Sequence, residues 1–128
     1  ANVISVIDFQ DLCIGPIGID LAGILLDHYL TFDKAFIKES LAFYKTKSSV
    51  DLNVDALFEC FRWGGIQRNM RILGTLSRLY INNNRSFRLN DLPVILDNLI
   101  SIIPNDLSCK NHLIDTIKPK LIEKLASI

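Results

Sequence analysis

Three carboxylates near the start of the chain have the types and spacing to hold a divalent cation. Asp8 ends a short β-branched run, Val3-Ile4-Ser5-Val6-Ile7, and Asp11 follows three residues later. A turn on Gly15-Pro16 then leads into an apolar segment carrying Asp20. Hard cations take oxygen ligands, and a strand that ends in an acidic loop presents carboxylate oxygens on a rigid support. A second set of candidates lies further on. All six arginines, Arg62, Arg68, Arg71, Arg78, Arg85 and Arg88, fall within a stretch that contains no Asp or Glu, while the lysines lie elsewhere. Arg68, Arg71 and Arg78 share one side of a 3.6-residue helix and make a basic ridge. A guanidinium fork suits sugar hydroxyls or a carboxylate, so Gln67, Arg68 and Arg71 are candidates for an acceptor pocket, against plain solvation or pairing with acids elsewhere. Trp63 is read as a core or helix-junction residue, with ring stacking on a sugar as the alternative, and Met70 as core.

These groups need elements to hold them. The β-branched run predicts one short N-terminal strand. Pro16 suits the first turn of a helix, and Ile17, Leu21, Ile24, Leu25 and His28 then fall on one face. Asp33 is the expected N-cap of a second helix reaching about Lys45. Thr46 to Asn53 reads as a loop. A long third helix is expected from Val54 to Ile81, with a break at Gly64-Gly65 and two neighbouring apolar stripes. Asn82-Asn83-Asn84 ends it, since Asn tolerates the left-handed backbone of helix termini. Asp91 is expected to cap a fourth helix with the stripe Leu92, Ile95, Leu96, Leu99, Ile102 and Ile103. The tail from Ser108 is helical, divided at Pro119. The expectation is a mainly α chain forming a single domain over residues 1–128.

The composition narrows the function. The 128 residues carry no formal net charge, which removes a general case for nucleic acid or membrane binding. Hydrophobic residues make up 49 %, yet no apolar run approaches the roughly 20 residues of a membrane span. So apolar a chain is expected to bury a face against something further. Cys13, Cys60 and Cys109 have no metal-ligand spacing, and their odd number argues for buried or partly buried free thiols in a reducing compartment. With no signal-peptide pattern at the start, the expected location is cytoplasmic. His28 and His112 lie far apart in sequence and read as structural or surface residues.

The pattern Ile7-Asp8-Phe9-Gln10-Asp11, Ile14-Gly15-Pro16, Asp20-Leu21-Ala22 resembles the aminoglycoside phosphotransferase and choline kinase superfamily. The stretches Trp63 to Tyr80 and Leu89-Asn90-Asp91-Leu92-Pro93 resemble, more narrowly, its bacterial N-acetylmuramate/N-acetylglucosamine anomeric kinases. The likeness runs from about Val3 to Ile103. It implies the helical C-lobe part of a protein-kinase-like fold, with Asp8 as the carboxylate that holds Mg²⁺ against the phosphates of ATP. By the same resemblance Asp20 braces the catalytic loop through its backbone; Asp11, beside Asp8, is read as a further metal-side carboxylate, holding a metal-bound water or an acceptor hydroxyl. The implied acceptor is a small molecule, an amino sugar or aminoglycoside-like alcohol, as in peptidoglycan recycling.

Such a fold also uses a small lobe with a phosphate-anchoring Lys and a catalytic loop, and the resemblance places both before the position of Asp8. The 128 residues hold neither, so the expectation is a piece of an ATP-dependent phosphotransferase whose N-terminal lobe is the missing partner, inactive alone and prone to dimerise. The alternative is a stand-alone helical interaction or oligomerisation module derived from that family.

Overall fold

The computed structural model describes residues 14–128, and these are mainly α. The strand expected over Val3–Ile7 lies outside the described residues. Six helices follow in order: α1 (Ile17–Leu25), α2 (Lys34–Lys47), α3 (Val54–Asn83), α4 (Leu92–Ile102), α5 (Cys109–His112) and α6 (Lys118–Ala126). A single 3₁₀ turn, Leu89–Asp91, leads into α4.

Local chemistry sets several of these boundaries. Asp33 caps α2 by accepting from the Phe36 N–H at 2.8 Å, and Asn53 caps α3 by accepting from the Ala56 N–H at 2.8 Å. At the other end of α3, Asn84 takes the left-handed conformation (φ 51°). Its N–H donates to the Tyr80 carbonyl and that of Arg85 to the Leu79 carbonyl, which satisfies the last carbonyls of the helix.

The 30-residue α3 is about 45 Å long at 1.5 Å per residue and serves as the axis of the fold. Around its first half lies the larger core. Leu21, Ala22 and Leu25 of α1, Ile37 and Leu41 of α2, and Leu99 and Ile102 of α4 surround Leu57, Phe61 and Ile66. The second half carries a smaller cluster, Leu76 with Leu89, Leu92 and Ile95, against which Leu121 and Leu125 of α6 are half-buried. All six residues of the stripe expected on α4 and just after it are buried.

Gly64 and Gly65 do not break α3; they let another helix touch it. A Cβ on Gly64 would stand 2.2 Å from the carbonyl carbon of Gly18, and one on Gly18 would stand 1.8 Å from the Cys60 carbonyl oxygen. The α1 and α3 backbones therefore meet directly, an approach open only to residues without a Cβ. The glycine signal was real, but its cause is packing and not a bend.

Four further expectations are corrected. Helix α1 stops at Leu25, so His28 lies beyond it, and Ile24 faces solvent. Met70 is 58 % exposed and Trp63 52 %, so neither is a core residue. Asp91 makes no side-chain cap on α4, because its carboxylate is engaged by Arg88. The tail divides at a π-helical stretch, Leu113–Ile117, which ends just before α6; Pro119 stands in the first turn of α6. A proline lacks the N–H and crowds the preceding turn, and a wider turn relieves both constraints.

Candidate functional site

Asp8 and Asp11, the carboxylates expected at the metal, lie outside the described residues. What the structure gives is the support that follows them. Helix α1 begins just past the Gly15-Pro16 turn, and its second residue is Gly18, pressed onto the Cys60 carbonyl of α3. The backbone entering α1 is thus fixed against the longest helix within one turn of its start. Asp20 lies in that first turn, where the helix dipole favours an acid, and its side chain is exposed. It makes no ion pair or side-chain hydrogen bond with another described residue.

The acceptor-side candidates sit on the next turns of α3 past the glycine crossing. Arg68 is half-buried and lies across α1, with its guanidinium carbon 3.8 Å from where a Cβ on Gly23 would stand. Gly23 and Asp20 are i and i+3 neighbours on α1, so Arg68 and Asp20 occupy the same side of the α1–α3 pair. Gln67 and Arg71 are exposed, as are Trp63 and Met70 beside them. Among the described residues the ion pairs of this structure involve Arg62, Arg88, Lys118 and His28, and none involves Arg68, Arg71 or Arg78. Pairing with described acids therefore does not account for the ridge.

Two polar features escaped sequence reasoning. Asn69 is 2 % exposed, and its Nδ2 has no hydrogen-bond partner among the described residues. It sits in the buried phase of α3, in line with Phe61, Gly65 and Leu76, and a polar residue on an apolar stripe is the signal that could have found it. The second feature is a charged cluster joining the loop after α1 to the turn before α4. His28 Nδ1 lies 3.1 Å from Asp27 Oδ1, and Arg88 Nε donates to Asp91 Oδ2 at 2.7 Å. An Arg88 terminal nitrogen also meets His28 Nε2, so Nε2 accepts and the ring proton on Nδ1 faces Asp27. The Asp91 carboxylate raises the Arg88 pKa above its usual range, and the guanidinium covers the Tyr29 ring at 5.1 Å. These partners lie some sixty residues apart in sequence, so no local spacing announces them. Their arrangement ties α1 to α4 and has the form of a structural clasp.

Among the described residues no three His, Cys, Asp or Glu side chains converge on a metal-sized site. Cys60 and Cys109 are free thiols; Cys60 is half-buried as expected, whereas Cys109, at the start of the short α5, is exposed, which corrects the expectation of burial there. No described helix is long and apolar enough to cross a membrane.

Comparison with known proteins gives two informative relatives. The chain is 29 % identical over 100 residues, 74 % of its length, to an N-acetylmuramate/N-acetylglucosamine kinase of Neisseria meningitidis serogroup B. It is 26 % identical over 94 residues, 70 % of its length, to a protein of the same name from Pseudomonas putida. The matched regions span only 30 % and 28 % of those relatives. No family model and no solved structure matches the chain. The chain is therefore similar, over most of its length, to about a third of a sugar kinase.

Proposed function

We propose that these residues form part of the helical lobe of an ATP-dependent small-molecule phosphotransferase, with an amino-sugar hydroxyl as acceptor. The observation that carries the reading is the spacing Asp8, Asp11, Gly15-Pro16, Asp20 in a chain similar to two proteins named as N-acetylmuramate/N-acetylglucosamine kinases. The glycine-locked start of α1 supports it, since a loop that positions an ion gains from a fixed exit.

On this reading Asp8, assisted by Asp11, offers the hard oxygen ligands that Mg²⁺ prefers. The bound ion would neutralise charge on the phosphates of ATP. Asp20 positions the backbone of the neighbouring loop from the first turn of α1. Gln67, Arg68 and Arg71, on the turns of α3 that follow the crossing, orient the acceptor through its hydroxyls. The nucleotide-covering lobe and the group that accepts the hydroxyl proton come from polypeptide beyond these 128 residues. A cell-wall amino sugar phosphorylated at its anomeric hydroxyl fits the relatives' names, and Mg·ATP chemistry of that kind belongs in the cytoplasm.

The test is phosphoryl transfer from ATP to a panel of amino sugars, aminoglycosides and simple alcohols, using the full-length polypeptide that contains these residues. Amino sugars should be turned over fastest, and Arg68→Ala with Arg71→Ala should raise the acceptor KM. Transfer to none of the panel would overturn the reading, and an unchanged acceptor KM would remove the two arginines from the pocket.

A further inference from the structure

Tryptophan is highly buried in most folds, because removing its large apolar surface from water is favourable. Trp63, the one tryptophan of these 128 residues, is instead 52 % exposed. It lies on the half of α3 that is otherwise the better covered, so its exposure is local and not the result of a bare helix.

The helix crossing fixes where this indole stands. Trp63 directly precedes Gly64, whose missing Cβ lets the Gly18 backbone sit against α3, and it follows by three residues Cys60, on whose carbonyl Gly18 rests. The side chain therefore leaves α3 within one residue of the crossing, at the level where α1 begins. Along the sequence, that start of α1 is where the chain arrives from the segment holding Asp8 and Asp11.

The neighbours of Trp63 on the same face are also open. Trp63, Gln67 and Met70 stand at i, i+4 and i+7 and are all exposed, and Arg71, one turn past Gln67, is exposed beside them. An aromatic plate, a polarizable thioether and an amide within two turns suit a cyclic sugar. The axial C–H groups of a pyranose lie flat on the negative face of an indole, while its hydroxyls meet an amide that both donates and accepts. An open-chain alcohol has hydroxyls for Gln67 but no flat apolar face for Trp63. Packing an apolar protein surface on the stripe would instead bury the Gln67 amide between Trp63 and Met70, which is costly without a partner.

Within the phosphotransferase reading, on which this rests, we infer that Trp63 is a specificity-determining residue of the acceptor site. Its indole carries the ring of a pyranose acceptor beside the Gln67 amide, and so selects a cyclic sugar over an open-chain alcohol.

The experiment is steady-state phosphoryl transfer by the full-length polypeptide that contains these residues, with N-acetylglucosamine as acceptor. Its open-chain alditol, N-acetylglucosaminitol, serves as a competing ligand with the same acetamido group and no ring. Trp63→Leu should raise the KM for the sugar at least about tenfold and keep kcat within about twofold, because the plate holds the ring alike in ground and transition states. The inhibition constant of the alditol, weaker than the sugar in the unaltered protein, should move less than about twofold, since it lacks the face that the indole reads. Trp63→Phe, which keeps an aromatic plate, should recover most of the lost affinity. Saturation with the sugar should also shift tryptophan emission in the unaltered protein by a component absent from Trp63→Phe, a readout that stands even if Trp63→Leu folds poorly. An unchanged KM in Trp63→Leu, an equal loss for sugar and alditol, or no such emission component would each overturn the inference and leave the phosphotransferase reading standing. That reading falls, and this inference with it, if the unaltered polypeptide transfers phosphate to none of the acceptor panel.

Discussion

The two halves of α3 solve different problems with the same residue type. In the first half, Gly64 gives α1 access to the helix backbone, and a Cβ there would collide with the carbonyl carbon and oxygen of Gly18 at 2.2 and 2.3 Å. In the second half, Gly74 is exposed, and nothing lies within 4 Å of where its Cβ would be. The first half is buried on several sides by α1, α2 and α4; the second is covered more thinly, by α4 and a terminal helix with no fully buried residue. The tightly locked half is the one beside the segment that leads from the acidic loop. A glycine in a helix is thus a constraint or a defect depending only on its neighbour.

Substitutions along this axis can break that contrast. The largest effect is expected for Gly64→Ala. The atoms it meets are backbone and cannot rotate away, so urea unfolding should show a loss of more than about 3 kcal/mol, at or above the top of the usual overpacking range. Leu121→Ala, in the half-buried contact of α6 with the second cluster, should cost only about 1 kcal/mol, below the 2–5 kcal/mol typical of a fully buried leucine. The smallest effect has the opposite sign. Gly74→Ala should stabilise by about 0.5–1 kcal/mol, the helix-propensity difference between the two residues. A destabilising Gly74→Ala, or a neutral Gly64→Ala, would show that the two halves are not built as described.

Much of this was legible in the sequence where the cause is local. Asp33 set the start of α2, the run of Asn residues ended α3, and the stripe from Leu92 to Ile103 gave the buried face of α4 correctly. What failed depends on long-range neighbours. Gly64-Gly65 read as a break because nothing local reveals that α1 crosses there. Asp91 read as a cap because the competing demand comes from Arg88 and His28, the latter some sixty residues away from Arg88. Met70 lies on a stripe broad enough to suggest burial on two sides, yet the described helices leave that side open. For the candidate site, sequence reasoning named the acidic loop and the arginines, and the structure adds the fixed exit through α1 and the half-buried placement of Arg68.

The most direct test of the functional account compares Asp8→Asn with the unaltered full-length polypeptide in ATP-dependent phosphorylation of N-acetylglucosamine. Loss of a metal-holding carboxylate should lower kcat at least about 100-fold, since the ion contributes several kcal/mol of charge stabilisation at the phosphates. It should leave the thermal midpoint unchanged. A variant that keeps most of the turnover would contradict the assignment of Asp8 as the carboxylate that fixes the ion.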